Sequence, residues 1–109
     1  MAVKITETQI ENSILTYLSM RNDCYAFKFK DQTLFANGRY RKAKWQINGV
    51  ADICCLLSDG KMLWLEVKTP KGRLSTSQKD FKLILEEFQH SYFVVRSVED
   101  VKIILSEFG

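Results

Sequence analysis

The chain contains no apolar run approaching the ~18–20 residues of a membrane-spanning helix, and 27% of its residues are charged. That composition is ordinary for a globular protein in water. The first residues, MAVKITETQIENSILTYL, lack an apolar core of secretory type, so a cytoplasmic, reducing setting is expected. Cysteine is scarce, with Cys24 and the adjacent pair Cys54 and Cys55. An odd, scattered set without CxxC spacing argues against a disulfide framework and against zinc, since neighbours on a strand point to opposite faces. The cysteines are expected to be reduced and to fill the core. The one histidine, His90, reads as a helix C-terminal residue rather than a catalytic base. Repeats, linkers and low-complexity segments are also missing. At 109 residues the chain is therefore expected to be one domain, 1–109, with one core.

What is present is patterned. Thr8-x-x-Glu11 resembles a capping box, and Ile10, Ile14, Leu15 and Leu18 recur at helical spacing up to about Met20. YAFKFK, from Tyr25 to Lys30, alternates apolar and polar as a half-buried strand does. A polar, basic stretch follows as far as Gly49 and reads as an exposed loop or hairpin arm. ADICCLL and KMLWLEVK are two strands joined at Ser58-Asp59-Gly60, apolar on both faces and so expected at the centre of the sheet. The single proline, Pro70, breaks the chain after Thr69. Ser75-x-x-Gln78 then opens a helix in which Phe81, Ile84, Leu85 and Phe88 follow a helical stripe. YFVV, Tyr92 to Val95, is a short buried strand, and Ser97 N-caps a last helix carrying Val101, Ile104, Leu105 and Phe108. The order is αβββαβα.

The net charge of +3 is unevenly placed. From Lys28 to Lys44 the cations Lys28, Lys30, Arg39, Arg41, Lys42 and Lys44 face only Asp31, a local balance of +5. GRYRKAKW interleaves Tyr40 and Trp45 with these cations, a composition suited to phosphate contacts plus stacking. The same segment also reads as a solvated loop. Lys71 and Arg73, in the connection after the second central strand, join the candidate DNA-binding cations.

Three carboxylates fall where the periodicity calls for an apolar side chain. Glu11 shares the series of Ile14, Leu15 and Leu18, and either points inward or serves as the third residue of the cap. Asp52 and Glu66 lie at the ends of the central strands far from the turn, where an uncompensated buried carboxylate costs several kcal/mol. A two-residue turn at Asp59-Gly60 would put them on opposite faces. A three-residue loop, Ser58-Asp59-Gly60, with Gly60 left-handed in a G1 bulge, sets Asp52 opposite Glu66. Lys68 then shares their face, with the Val67 carbonyl between. Hard oxygen ligands beside an ammonium suit Mg²⁺ or Mn²⁺ and phosphodiester chemistry. A salt-bridge cluster capping a sheet edge is the competing reading. Trp64, on the Glu66 face, reads as core packing.

GVADI followed by LEVKTPKGRLSTSQ resembles the virus-type replication-repair nuclease family, VRR-NUC, of the PD-(D/E)xK superfamily, and the resemblance spans nearly the whole chain. Glu11, Gly49, Asp52, Glu66, Lys68 and Gln78 stand at the positions of that pattern, while Ala51 replaces the proline found in many members. The resemblance implies a restriction-endonuclease-like α/β (α+β) core with a mixed central sheet flanked by helices. It further implies Asp52, Glu66 and the Val67 carbonyl as metal ligands, Lys68 beside the attacking water, and Glu11 approaching the metal. Gln78, readable on its own as the third residue of the Ser75 cap, gains a site role from it. The implied activity is metal-dependent endonucleolytic cleavage of DNA, branched DNA such as a Holliday junction, by a homodimer. A nicking or restriction-type nuclease without branch preference and a catalytically idle nucleic-acid binding module are the alternatives.

Overall fold

The computed structural model describes residues 4–29, 33–36, 39–42 and 48–108. Its elements are α1 (Glu7–Ser19), β1 (Cys24–Lys28), β2 (Thr33–Ala36), β3 (Arg39–Lys42), β4 (Ile53–Leu57), β5 (Met62–Val67), α2 (Thr76–Glu87), β6 (Ser91–Val95) and α3 (Val98–Phe108). β2 and β3 form a separate antiparallel ribbon, so the basic segment does contain a hairpin. The other strands form a mixed sheet in the order β1-β4-β5-β6. β1, β4 and β5 pair antiparallel, and β6 runs parallel to β5 after the α2 crossover. The fold is α+β with a mixed central sheet flanked by helices, and the expected αβββαβα order survives with the ribbon inserted after β1.

The continuous apolar runs of β4 and β5 follow from their central position, since both faces of each are covered. Ile53, Cys55, Leu63, Leu65, Val67 and Val95 face α1 and α3, meeting Ile10, Ile14, Leu18, Val101 and Leu105. The opposite face carries a smaller cluster in which α2 sets Phe81 and Leu85 against Ala51 and Tyr92. Cys54 and Cys55 are buried, and all three cysteines are free thiols.

Several local readings need correction. α1 begins two residues earlier than expected: Thr6 is the N-cap and Gln9 completes the box. Glu11 is thereby relieved of any capping duty. In α2 the stripe is narrower than its spacing suggests, because Ile84 and Phe88 are exposed. The helix lies over β5 and β6 and buries only Phe81 and Leu85. It ends in a Schellman turn, Gln89 adopting the left-handed region (φ 64°) and His90 N–H bonding to the Leu85 carbonyl at 2.8 Å. The alternation of β1 is also inverted in sense. Small Cys24 and Ala26 pack against the α1/α3 core, while Tyr25, Phe27 and Phe29 lie on the open side.

The turn between β4 and β5 sets the register. Leu57 N–H donates to the Lys61 carbonyl at 2.8 Å, Gly60 N–H to the Leu57 carbonyl at 3.1 Å, and Gly60 has φ +89°. The pairs Ile53–Leu65, Cys54–Trp64, Cys55–Leu63 and Leu56–Met62 follow, as the three-residue bulged loop requires. A Cβ at Gly60 would enter open space, so Gly60→Ala meets only the left-handed backbone penalty. It should lower unfolding stability by about 1 kcal/mol in urea titrations. An unchanged midpoint would contradict the bulge.

Candidate active site

Leu57 and Lys61 form a hydrogen-bonded antiparallel pair, and such pairs alternate with non-hydrogen-bonded ones. Continued along β4 and β5, the alternation makes Asp52 and Glu66 a non-hydrogen-bonded pair, the kind whose Cα atoms approach to about 4.5 Å. The two side chains use that closeness reciprocally. Glu66 Oε2 accepts from Asp52 N–H at 3.2 Å, and Asp52 Oδ2 accepts from Val67 N–H at 2.8 Å. On its other side, the Asp52 carbonyl accepts from Phe29 N–H at 3.3 Å, extending the β1–β4 ladder by one residue.

Gln78 serves two functions at once. Its Oε1 accepts from Ser75 N–H at 2.8 Å as the third residue of the α2 capping box. Its Nε2 donates to Glu66 Oε1 at 2.5 Å. The cap therefore orients the amide whose donor end holds the carboxylate. Gly49 makes this approach possible: it has φ +78°, and a Cβ there would lie 2.3 Å from the Ser77 carbonyl carbon and oxygen and 2.6 Å from Gln78 N. Only glycine fits beneath the first turn of α2.

Glu66 is 1% exposed. Burial, then the nearby charge of Asp52, push its carboxyl up to about 8, against the opposing pull of Lys68. The Lys68 ammonium is buried and lies 3.9 Å from Glu66 Oε1. One ammonium thus leaves the carboxylate pair with uncompensated negative charge, the condition a divalent cation relieves. Glu11 is half-buried on α1, and burial followed by the charge of Asp52 raises its carboxyl, with Lys28 opposing. It faces the site electrostatically. Among the described residues, no three His, Cys, Asp or Glu side chains gather as a metal-binding group, so the side-chain oxygen ligands on offer are those of Asp52 and Glu66. The Tyr92 hydroxyl is buried without a hydrogen-bond partner, and burial and then Glu66 and Asp52 raise it well above the usual phenol range.

Arg96 has no signal in the sequence beyond being a cation after a strand. Its Nη1 donates to the carbonyls of Thr69 (2.5 Å) and Gly72 (2.8 Å), pinning the connection that leaves Lys68. Lys68 N–H in turn bonds the Val95 carbonyl at 3.0 Å. Lys71 and Arg73 are exposed on that connection, and Lys28 is exposed on β1. Arg39, Arg41 and Lys42 form the β3 strand, while Lys30 and Lys44 lie outside the described residues. Trp64 packs as expected, stacked on Phe29 and edge-on to Phe81.

A solved VRR_NUC domain matches this structure with a TM-score of 0.67 at 17% sequence identity, over 94% of this chain and 97% of that one. The chain has the fold of a VRR_NUC domain. No protein-family profile and no curated protein matches it.

Two expectations follow from this geometry. Gly49→Ala should force the start of α2 away from β4 and separate Gln78 from Glu66, lowering stability by about 2–4 kcal/mol in chemical denaturation; a loss below about 1 kcal/mol would mean the contact is not tight. Second, the folded-state value of Glu66 lies above its unfolded one. Its stabilising contribution is present below the ordinary carboxylate range and is lost as pH rises through about 8. In chelator, the thermal midpoint should therefore fall between pH 6 and pH 9. The fall should be smaller in Asp52→Asn, which removes the neighbouring charge and can still accept from Val67 N–H.

Proposed function

We propose that this protein is a Mg²⁺- or Mn²⁺-dependent endodeoxyribonuclease that hydrolyses phosphodiester bonds in branched DNA such as Holliday junctions, acting as a homodimer. The observation that carries the reading is the pairing of half-buried Asp52 with buried Glu66 across the ends of β4 and β5, with buried Lys68 on the same face. A salt-bridge cluster would match charges, whereas here burial and mutual repulsion leave Glu66 with an affinity for positive charge that Lys68 does not satisfy. The VRR_NUC fold supports the same class of chemistry.

Asp52, Glu66 and the Val67 carbonyl are the residues that would hold the ion. When bound, a divalent ion supplies charge neutralisation at the scissile phosphate and acidifies water. Gln78 and the Asp52 N–H hold the two Glu66 oxygens in a single orientation, so little reorganisation accompanies binding. The Lys68 ammonium, buried 3.9 Å from Glu66 Oε1, would orient a water and stabilise the charge that develops on the phosphate oxygens. Glu11 adds negative potential from the α1 side. The +5 segment from Lys28 to Lys44 (Lys28, Lys30, Arg39, Arg41, Lys42 and Lys44), with Lys71 and Arg73, gives a polyanion its attraction. Resolution of a four-way junction needs symmetric cuts in two strands, which a two-fold dimer with one site per chain provides.

Cleavage of four-way, flap, nicked and linear DNA, compared side by side with Mg²⁺ or Mn²⁺ and with light scattering at assay concentration, tests the proposal. Asp52→Asn and Glu66→Gln should each reduce cleavage at least 100-fold, an order of magnitude typical for lost electrostatic stabilisation, while DNA binding persists. Lys68→Ala should retain metal binding by calorimetry and slow the single-turnover step. Near-parental cutting by either carboxylate variant would overturn the ligand assignment. A monomer that only nicks, without preference among the four substrates, would leave a simpler nickase. A parent that binds DNA and cuts none of them would leave a binding module.

A further inference from the structure

Tyr25, Phe27 and Phe29 occupy alternate positions of β1 and its continuation, and so share one face. They are 69%, 37% and 42% exposed. Their rings form a ladder, with centroids 6.3 Å apart from Tyr25 to Phe27 and 5.6 Å apart from Phe27 to Phe29. The ladder continues inward, where Phe29 stacks on Trp64 at 5.4 Å with planes 5° apart. Trp64 is two residues from Glu66 on the same face of β5, and the Phe29 N–H bonds the Asp52 carbonyl. A row of rings thus runs from open solvent to the carboxylate pair.

Three large rings left side by side on one exposed strand mark an interaction surface. Two features narrow the occupant. The strand face is aromatic at all three positions, with Leu56 of β4 beside Tyr25, and each ring offers a π-face on which a flat ligand can stack. The chain leaving the ladder carries the +5 balance between Lys28 and Lys44, which favours a ligand joined to negative charge. A nucleobase on a DNA strand has both properties. Within a duplex the bases already stack on one another, so only an unpaired base is free to lie on a side chain.

We propose that the Tyr25–Phe27–Phe29 ladder binds unpaired DNA bases beside the candidate phosphodiester site, and that the ladder selects DNA with an open branch, fork or gap. This rests on the reading of the chain as a protein that acts on DNA. The ladder holds the displaced base by stacking, while Asp52, Glu66 and Lys68 address the adjoining backbone.

The test is made in chelator, so that binding is read without cleavage. Affinities of the parent and of Tyr25→Leu/Phe27→Leu are measured for a single strand, a fork with unpaired arms and a blunt duplex, with 2-aminopurine in one unpaired arm of the fork. Leucine keeps apolar bulk and removes the ring, and circular dichroism confirms that the variant folds. The variant should bind the single strand and the fork about tenfold or more weakly, the loss expected for one or two base stacks. Stacking-dependent quenching of 2-aminopurine should disappear, and duplex affinity should be unchanged. Parental fork affinity in the leucine variant would overturn the proposal, as would equal losses on all three DNAs. Retained fork binding in the leucine variant, together with dissociation of a parental dimer in Tyr25→Ala/Phe27→Ala, would overturn it in favour of contact between two copies. Cleavage with Mg²⁺ or Mn²⁺ is scored separately. A parent that quenches 2-aminopurine and never cuts removes the nuclease reading but not the ladder; a parent that cuts without quenching removes only the ladder.

Discussion

A carboxylate that is almost wholly out of water must be held by something, and in this protein the surroundings of Glu66 organise much of the rest. Burying such a group without compensation costs several kcal/mol. Here its two oxygens are taken by Asp52 N–H and by the Gln78 amide, with the Lys68 ammonium close by. Each donor belongs to a different part of the chain: the start of β4, the first turn of α2 and the connection after β5. Satisfying Glu66 therefore ties three segments together, and Gly49 and Arg96 extend the ties to the loop before β4 and the end of β6. The compensation is incomplete, since the Asp52 charge and burial still raise the Glu66 carboxyl.

The two faces of the sheet are treated differently: one is closed by the main core and the other is only partly covered. α1 and α3 close one face with the larger apolar cluster. α2 closes only part of the other, over β5 and β6. The uncovered part, on β1 and β4, carries Tyr25, Phe27, Phe29 and Leu56. The carboxylates lie on this second face, so Asp52 and Glu66 border an open aromatic surface.

The register of the central hairpin was legible because a period of two makes it a parity question, and the three residues Ser58-Asp59-Gly60 answered it. The centrality of β4 and β5 was legible from their apolar runs. Other features escaped local patterns for identifiable reasons. Thr6 and Gln9 compete with Thr8 and Glu11 for the same capping role, and both spacings fit; the box forms at Thr6 and Gln9. Gln78 looked like either a cap or a site residue; its Oε1 completes the α2 cap and its Nε2 bonds Glu66. The aromatic positions of β1 look like a buried stripe when read along the strand alone.

By itself, then, the sequence determined the element order, the pairing of Asp52 with Glu66 and the placing of Lys68 on their face, because these depend on local turn chemistry and strand parity. Only the tertiary structure decided which face of β1 is covered, how far α2 reaches across the sheet, that Gln78 reaches Glu66 over Gly49, and that Arg96 pins the connection after Lys68. Those outcomes depend on the packing of segments distant in sequence, where the volume available beneath a helix and the direction of its approach are properties of the assembled core and not of any single stretch of chain.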